Sequence, residues 1–380
     1  MGESRHQGTQ APVRHDIFVM ALVKIISMKK LSAFLFLLIF CRPLLAANKT
    51  DIGPLPDPVS NNAVASIRRH GGLWLFSFMG IGPKKTWDAI TPASYALNPD
   101  SYAWAPIHPV PGLAARLGAV AAGAGDRVYV MGGYVVDPQG REMVVPDVGE
   151  YEIVGDRWLR GQDMPVPVRD SVAGVYRDRY IYLIGGRSNG VLVPNVQVYD
   201  REKKKWSQAT PIAGTPVFGH AGALVDDTIV YVDGAVPNPA GNMPRYVATN
   251  ECWMGKIDHK DPAKIQWTKL PSHPGAARYR IAGGGSERDE MAYFSGGTDN
   301  PYDYNGVGYD GKPAEPSTVT FAFNLRSGKW ETLNENTPNP TMDHHGLLVT
   351  YDELVVVGGM EKGQKVTART TTLAKPSKGK

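Results

Sequence analysis

Side chains able to bind or move protons recur in this 380-residue chain roughly every 50 to 65 residues, each time just ahead of a small, apolar run. They are Asn61-Asn62, Arg116-Leu117, Arg169-Asp170, Gly219-His220, Tyr279-Arg280 and His344-His345, with Arg278 and Asp343 beside the last two. Arginines grouped in this way suit a carboxylate, a phosphate or a polyhydroxylated ligand held by forked hydrogen bonds. Asp170, Asp343 and His345 are the candidates for proton transfer. Arg116, Arg169, His220, Tyr279, Arg280 and His344 are the candidates for binding. A second group lies in the long segment 298–316, where Tyr302, Tyr304 and Tyr309 alternate with Asp299, Asn300 and Asn305. Aromatic faces beside short hydrogen-bonding groups suit a sugar. Segment 235–249, with Asn238, Asn242, Arg245 and Tyr246, is the other long connection, and long connections are commonly functional. No metal is expected. His344 and His345 are strand neighbours that point to opposite faces, and Asp299, Asp303 and Asp310 match no standard calcium loop. No glycine-rich phosphate loop or nucleophile elbow stands out, and no cofactor is expected.

The elements that position these residues repeat six times. About 14 to 18 residues after each polar pair, a β-rich run ends at a glycine doublet: Gly132-Gly133, Gly185-Gly186, Gly296-Gly297 and Gly358-Gly359, with degenerate copies at Met79-Gly80 and Asp233-Gly234. Beyond five of the doublets, by roughly 20 to 33 residues, stands a tryptophan: Trp104, Trp158, Trp206, Trp267 and Trp330. Each unit reads as a four-stranded antiparallel blade that cannot bury both faces alone, so the blades must stack around an axis. Antiparallel pairing puts every polar pair and every connection after a doublet on one face of the disc. A channel mouth ringed by these groups is therefore expected. The sixth unit lacks its tryptophan. Residues 50–56 resemble the segments after Trp104 and Trp267, so an N-terminal strand is expected to complete the last blade and cover an open edge.

This pattern resembles the kelch repeat, over essentially residues 48–375, and implies an all-β fold, a six-bladed kelch-type β-propeller. Kelch propellers commonly present loops to a ligand or a partner protein. Two enzyme families are comparable at the level of the fold. The exported N-acetylneuraminate epimerases (mutarotases) are six-bladed and of similar length. That resemblance implies Arg116, Arg169 and Arg280 on a sugar carboxylate, with Asp170, Asp343 or His345 moving the anomeric proton. Galactose oxidase needs two histidines, two tyrosines and a cysteine cross-linked to one tyrosine. Cys252 is placed on a third strand away from the channel mouth, which argues against that copper site.

Two readings stay open: a binding module for a carbohydrate, another small polar ligand or an envelope protein, and a carbohydrate-active enzyme of the mutarotase type. Residues 1–47 read as a signal peptide, with Lys29-Lys30, the apolar run 31–41 and cleavage near Ala46 or Ala47. The working leader is 28–47, and the start is Met1 or Met28. A periplasmic or secreted location follows. Of 41 basic and 37 acidic residues, the part after 47 keeps 35 of each, so the net basic character belongs to the leader, and the short tail 376–380 is only locally basic. Neither nucleic acid nor membrane insertion of the mature chain is expected.

Overall fold

Short β-branched and aromatic runs separated by glycine, proline and aspartate leave little room for helices, and the chain folds accordingly. A computed structural model describes residues 52–69, 71–110 and 115–376. The proposed leader and all but Pro376 of the tail lie outside them. Apart from one 3-10 turn at Trp87–Ala89, the described elements are strands. Five sheets hold four antiparallel strands in sequential order from axis to rim, and a sixth holds three. The chain is therefore a six-bladed β-propeller.

The innermost strands are Ala63–Arg69, Val120–Ala124, Val172–Tyr176, Ala221–Val225, Ala282–Ser286 and Leu348–Val349. They are rich in alanine and glycine because they crowd around the axis. The tryptophans lie on the outermost strands of blades 1 to 5. Each indole N–H donates to the blade before it: Trp104 to Thr370, Trp158 to His108, Trp206 to Gln162, Trp267 to Thr210 and Trp330 to Pro271. One residue thus fills an inter-blade gap and also ties the two blades by a hydrogen bond.

The doublets have a related use. In five blades the N–H of the second glycine donates to the carbonyl of the next blade's lead-in: Gly133 to Val168, Gly186 to Val217, Gly234 to Arg278, Gly297 to Thr341 and Gly359 to Val59. The first position tolerates Met79 and Asp233 at φ 53° and 62°. The second is always glycine. At Gly186, φ is +104°, and a Cβ would sit 2.7 Å from the Arg169 carbonyl oxygen.

The ring closes between blades 6 and 1. Residues 52–59 run beside 367–368, with Leu55 N–H donating to Ala368 and Val59 N–H to Thr367. The N-terminal segment thus closes the last blade at the expected place, through two bonds rather than a continuous ladder.

Gly186→Ala should lower stability by about 3 kcal/mol or more, through an unfavourable φ plus a backbone clash. Gly190→Ala, also at positive φ but with nothing within 4 Å of the added Cβ, should cost only about 1 kcal/mol. Urea unfolding of the two variants measures the difference.

Candidate functional site

At the start of each innermost strand stands one residue in the left-handed conformation: Asn61, Gly118, Asp170, Gly219, Arg280 and Asp343. A bridge fixes each place. The residue before it pairs with the residue after a doublet, as Ser60 with Ile81, Leu117 with Tyr134, Arg169 with Arg187, Phe218 with Ala235, Tyr279 with Thr298 and Met342 with Met360. The polar pairs and the doublet connections do share one face. Their register, however, differs between blades. Arg116 falls one residue early in blade 2, whereas His220 and His344 fall one residue late in blades 4 and 6.

The mouth on this face is not open. The connections after the doublets fold back as hairpins at Tyr134–Val136/Glu142–Val144, Arg187–Ser188/Val191–Leu192, Ala235–Pro237/Tyr246–Ala248 and Met360–Glu361/Lys365–Val366. Segment 235–249 therefore has structure of its own. Segment 298–316 is pinned by bridges Tyr302–Gly308 and Val307–Pro313. Phe218, Tyr246, Tyr279, Tyr302, Met342 and Met360 pack into an apolar cap, with Tyr309 half-buried against it. Tyr304 packs instead beside Ile81, Leu117 and Tyr134. Burying these apolar surfaces is favourable, and it covers the polar ring.

Beneath the cap lies an ion network. Arg280, 1 % exposed, places Nη1 2.6 Å from Asp343 and Nη2 3.0 Å from Asp170. Asp343 also accepts from Ser60 Oγ at 2.5 Å and Asn61 Nδ2 at 2.8 Å. Arg169 pairs with Asp170 at 3.1 Å and with Glu142 at 2.8 Å, and lies over the Tyr134 ring. Blades 3 and 6 face each other, so the 3.6 Å approach of His345 Nε2 to Asp170 spans the axis. The hydroxyls of Tyr134 and Tyr279 are buried and have no hydrogen-bond partner, whereas that of Tyr302 reaches Asp343 and Arg280.

Burial works against the charged form of Asp170, but the Arg280 and Arg169 guanidiniums outweigh it and hold its pKa at about 2. Burial pushes His220 and His344 down to about 4 and lowers His345 as well. Burial also raises Tyr134, Tyr279 and Tyr302 well above the usual phenol value. At neutral pH the imidazoles are therefore uncharged, and the carboxylates belong to arginines.

On the other side of this network the innermost strands enclose a well of about 350 Å³. Ser171, His220 and His345 line it at the network end, and exposed Glu287 lies at its far end. His220 Nε2 meets the Ile184 carbonyl at 3.0 Å, so that nitrogen carries the proton and Nδ1 is an acceptor. His220 Nδ1 is buried without a hydrogen-bond partner, and His345 Nε2 has only the 3.6 Å approach to Asp170.

The structure thus gathers Arg169, Asp170, Tyr279, Arg280, Tyr302, Asp343 and His345. His220 lines the well, while His344 is taken up by the Thr341 hydroxyl at 2.9 Å. Arg116 stands apart, with Asp147 as its electrostatic partner. Glu142, Tyr134 and Arg187 were not singled out from the sequence. Tyr134 and Arg187 directly follow doublets, and that position marks them. Cys252 is buried on the third strand of blade 4, where burial pushes its thiol up to about 12. Among the described residues no cluster of three or more His, Cys, Asp and Glu is arranged to hold a metal.

Comparison with known proteins agrees with this geometry. The kelch motif matches residues 169–212. Kelch-like protein terF of Aspergillus terreus is 31% identical over 183 residues, 46% of this chain and 34% of that protein. Kelch-like protein 15 of Gallus gallus is 28% identical over 149 residues, 34% of this chain and 29% of its own. The chain thus spans about a third or less of the length of these relatives. The solved structure of YjhT superposes with a TM-score of 0.67 at 16% identity, covering 85% of this chain and 97% of that one. The matches support the kelch-repeat family, and the fold is a six-bladed kelch-type propeller, a class of protein- and ligand-binding module.

The three depressed imidazoles bind protons more readily in the unfolded chain than in the folded one. Stability should therefore fall as pH drops below about 6.5, and for His220 and His344 the fall should continue to about 4, by up to about 1.4 kcal/mol per pH unit for each of these two. Asp170 adds a further loss between about 4 and 2, since its depressed pKa stabilises the fold only while it is ionised. Urea midpoints measured across pH should show this slope, and His220→Gln should flatten the upper part. Arg280→Met, which strands two buried carboxylates, should cost about 3–5 kcal/mol at pH 7 by the same assay.

Proposed function

We propose that this protein is an exported binding propeller that takes a small, hydroxyl-rich ligand of carbohydrate type in the axial well. The observation that carries this reading is a cavity of about 350 Å³ lined by Ser171, His220 and His345, with His220 Nδ1 buried and without a hydrogen-bond partner. A buried polar atom without a partner is costly, and a ligand hydroxyl relieves that cost. Neutral imidazoles and Ser171 offer both donors and acceptors, as hydroxyls require. The network beneath supplies no free charge, because Arg280 is committed to Asp170 and Asp343, and Arg169 to Asp170 and Glu142. That balance favours an uncharged ligand face in the well.

One observation favours a mutarotase-type reaction as a second reading. His345, neutral and beside ionised Asp170, sits at the well floor. An imidazole there can take the proton of an anomeric hydroxyl and, as the imidazolium, hand that same proton to the ring oxygen as the ring C–O bond breaks to give the open-chain carbonyl. Reclosure on the opposite carbonyl face runs the same transfer in reverse and leaves the imidazole neutral. Asp170 would stabilise the transient imidazolium.

Thermal-shift measurements with neutral and acidic monosaccharides, N-acetylneuraminate included, test the binding reading. A stabilising sugar is expected, and His345→Gln should weaken it about tenfold, the worth of one hydrogen bond. A panel without any response, or a response untouched in His345→Gln, overturns the site. Anomer exchange followed by NMR tests the second reading: acceleration should fall about 100-fold or more in His345→Gln. Equal rates with and without protein remove it.

A further inference from the structure

Arg187 and Arg245 are the unusual charges of the capped face. Arg187 directly follows the blade 3 doublet and is bridged to Arg169 across an antiparallel pair. Like charges placed opposite each other in this way repel. Arg169 is neutralised by Asp170 and Glu142. Arg187 is not: among the described residues its side chain has no ion pair, and its buried Nε has no hydrogen-bond partner. Its guanidinium lies 5.4 Å from the centre of the Tyr246 ring and 5.5 Å from that of Phe218. Arg245, on the neighbouring hairpin and exposed, lies 5.2 Å from the same Tyr246 ring and is also without an ion pair among the described residues. Tyr309 from the blade 5 segment meets the edge of Tyr246 at 5.0 Å. Glu142 and Asp170 act on Arg187 electrostatically, but their ion pairs are with Arg169 and Arg280.

We propose that Arg187 and Arg245, gathered around Tyr246 with Tyr309 beside them, form a binding site for a small dicarboxylate on the capped face. Each planar fork matches one carboxylate with two parallel hydrogen bonds. Each fork lies within 5.5 Å of the Tyr246 ring centre, so both carboxylates of a short dicarboxylate would be received beside the same tyrosine. The aromatic ring holds both forks in place before the ligand arrives, which limits the entropy lost on binding. An unpaired, partly buried guanidinium beside a second arginine is otherwise a local conflict, and such conflicts concentrate at functional sites. This site is independent of the well, from which the ion network separates it.

Titration of the full chain with succinate, at constant ionic strength made up with sodium chloride, tests the proposal. At about ten times Kd, succinate should raise Tm by about 1–2 °C. Arg187→Gln should abolish the response, Arg245→Gln should weaken it at least about tenfold, and Arg187→Lys, which keeps charge without the fork, should fall between. His345→Gln should leave it intact, which separates this site from the well. Without ligand, Arg187→Gln should melt at or above the wild-type temperature, because a like-charge neighbour of Arg169 is gone. No succinate response, an equal response to chloride or to inorganic phosphate, or a response surviving in Arg187→Gln overturns the proposal. So does a large fall in the unliganded Tm of Arg187→Gln, which would make Arg187 a structural tie.

Discussion

A closed circle of hydrogen bonds at the axis sets the geometry of everything around it. Asn61 N–H donates to the Asp343 carbonyl, His344 N–H to Arg280, Arg280 N–H to Gly219, Gly219 N–H to Asp170 and Asp170 N–H to Gly118. Gly118 N–H completes the circle on the Asn61 side chain at 2.6 Å. Each bond joins neighbouring blades, and each requires a residue at or beside the left-handed position. Only two of those six positions are glycine, so the other four carry about 1–2 kcal/mol of backbone strain each. That strain persists because the circle and the bridges beside it over-determine the conformation.

The circle explains why the charges fall where they do. A left-handed residue at the start of an innermost strand sits near the axis, so a long side chain there can reach another blade. Arg280 does so, meeting Asp343 on the adjacent blade and Asp170 two blades away. Removing these groups from water is expensive, and the network is favourable only because each carboxylate has several partners. Ser60 and Asn61 complete Asp343, while Arg169 and His345 complete Asp170. The network is better understood as a clasp that fixes blade register than as a source of net stability. It also closes the axis, so the propeller has a dead-ended well on one face and a capped surface on the other.

The repeat was legible because its signals are local. A doublet whose second member is always glycine, and a tryptophan on the outer strand, each serve a contact that recurs with every blade. The register of the polar ring was less legible. Polarity aligns Arg116 with Arg169 and His345 with Arg280, whereas conformation aligns Gly118 with Asp170 and Asp343 with Arg280. The signal lay in residue types that tolerate positive φ, since five of the six positions are Asn, Asp or Gly. Pairings such as Arg280 with Asp170, separated by 110 residues, leave no local trace. Nor does the cap, whose strands are two or three residues long and owe their pairing to packing over the ring rather than to propensity.

The two faces then differ in chemistry for one reason. Every charge drawn into the axial network is neutralised there, because an unpaired charge so deep would be too costly. The well above it inherits neutral imidazoles, a hydroxyl and a wall of small residues, which is the chemistry of hydroxyl recognition. The cap is thinner and reaches solvent, so an arginine can remain unpaired on it by resting on an aromatic face. Arg187 is the only charged residue that directly follows a doublet, where the other blades place Ile81, Tyr134, Ala235, Thr298 and Met360. A position that packing fills with apolar or small side chains in most blades carries a guanidinium in one. Packing alone does not call for that choice, whereas an anion arriving from solvent does.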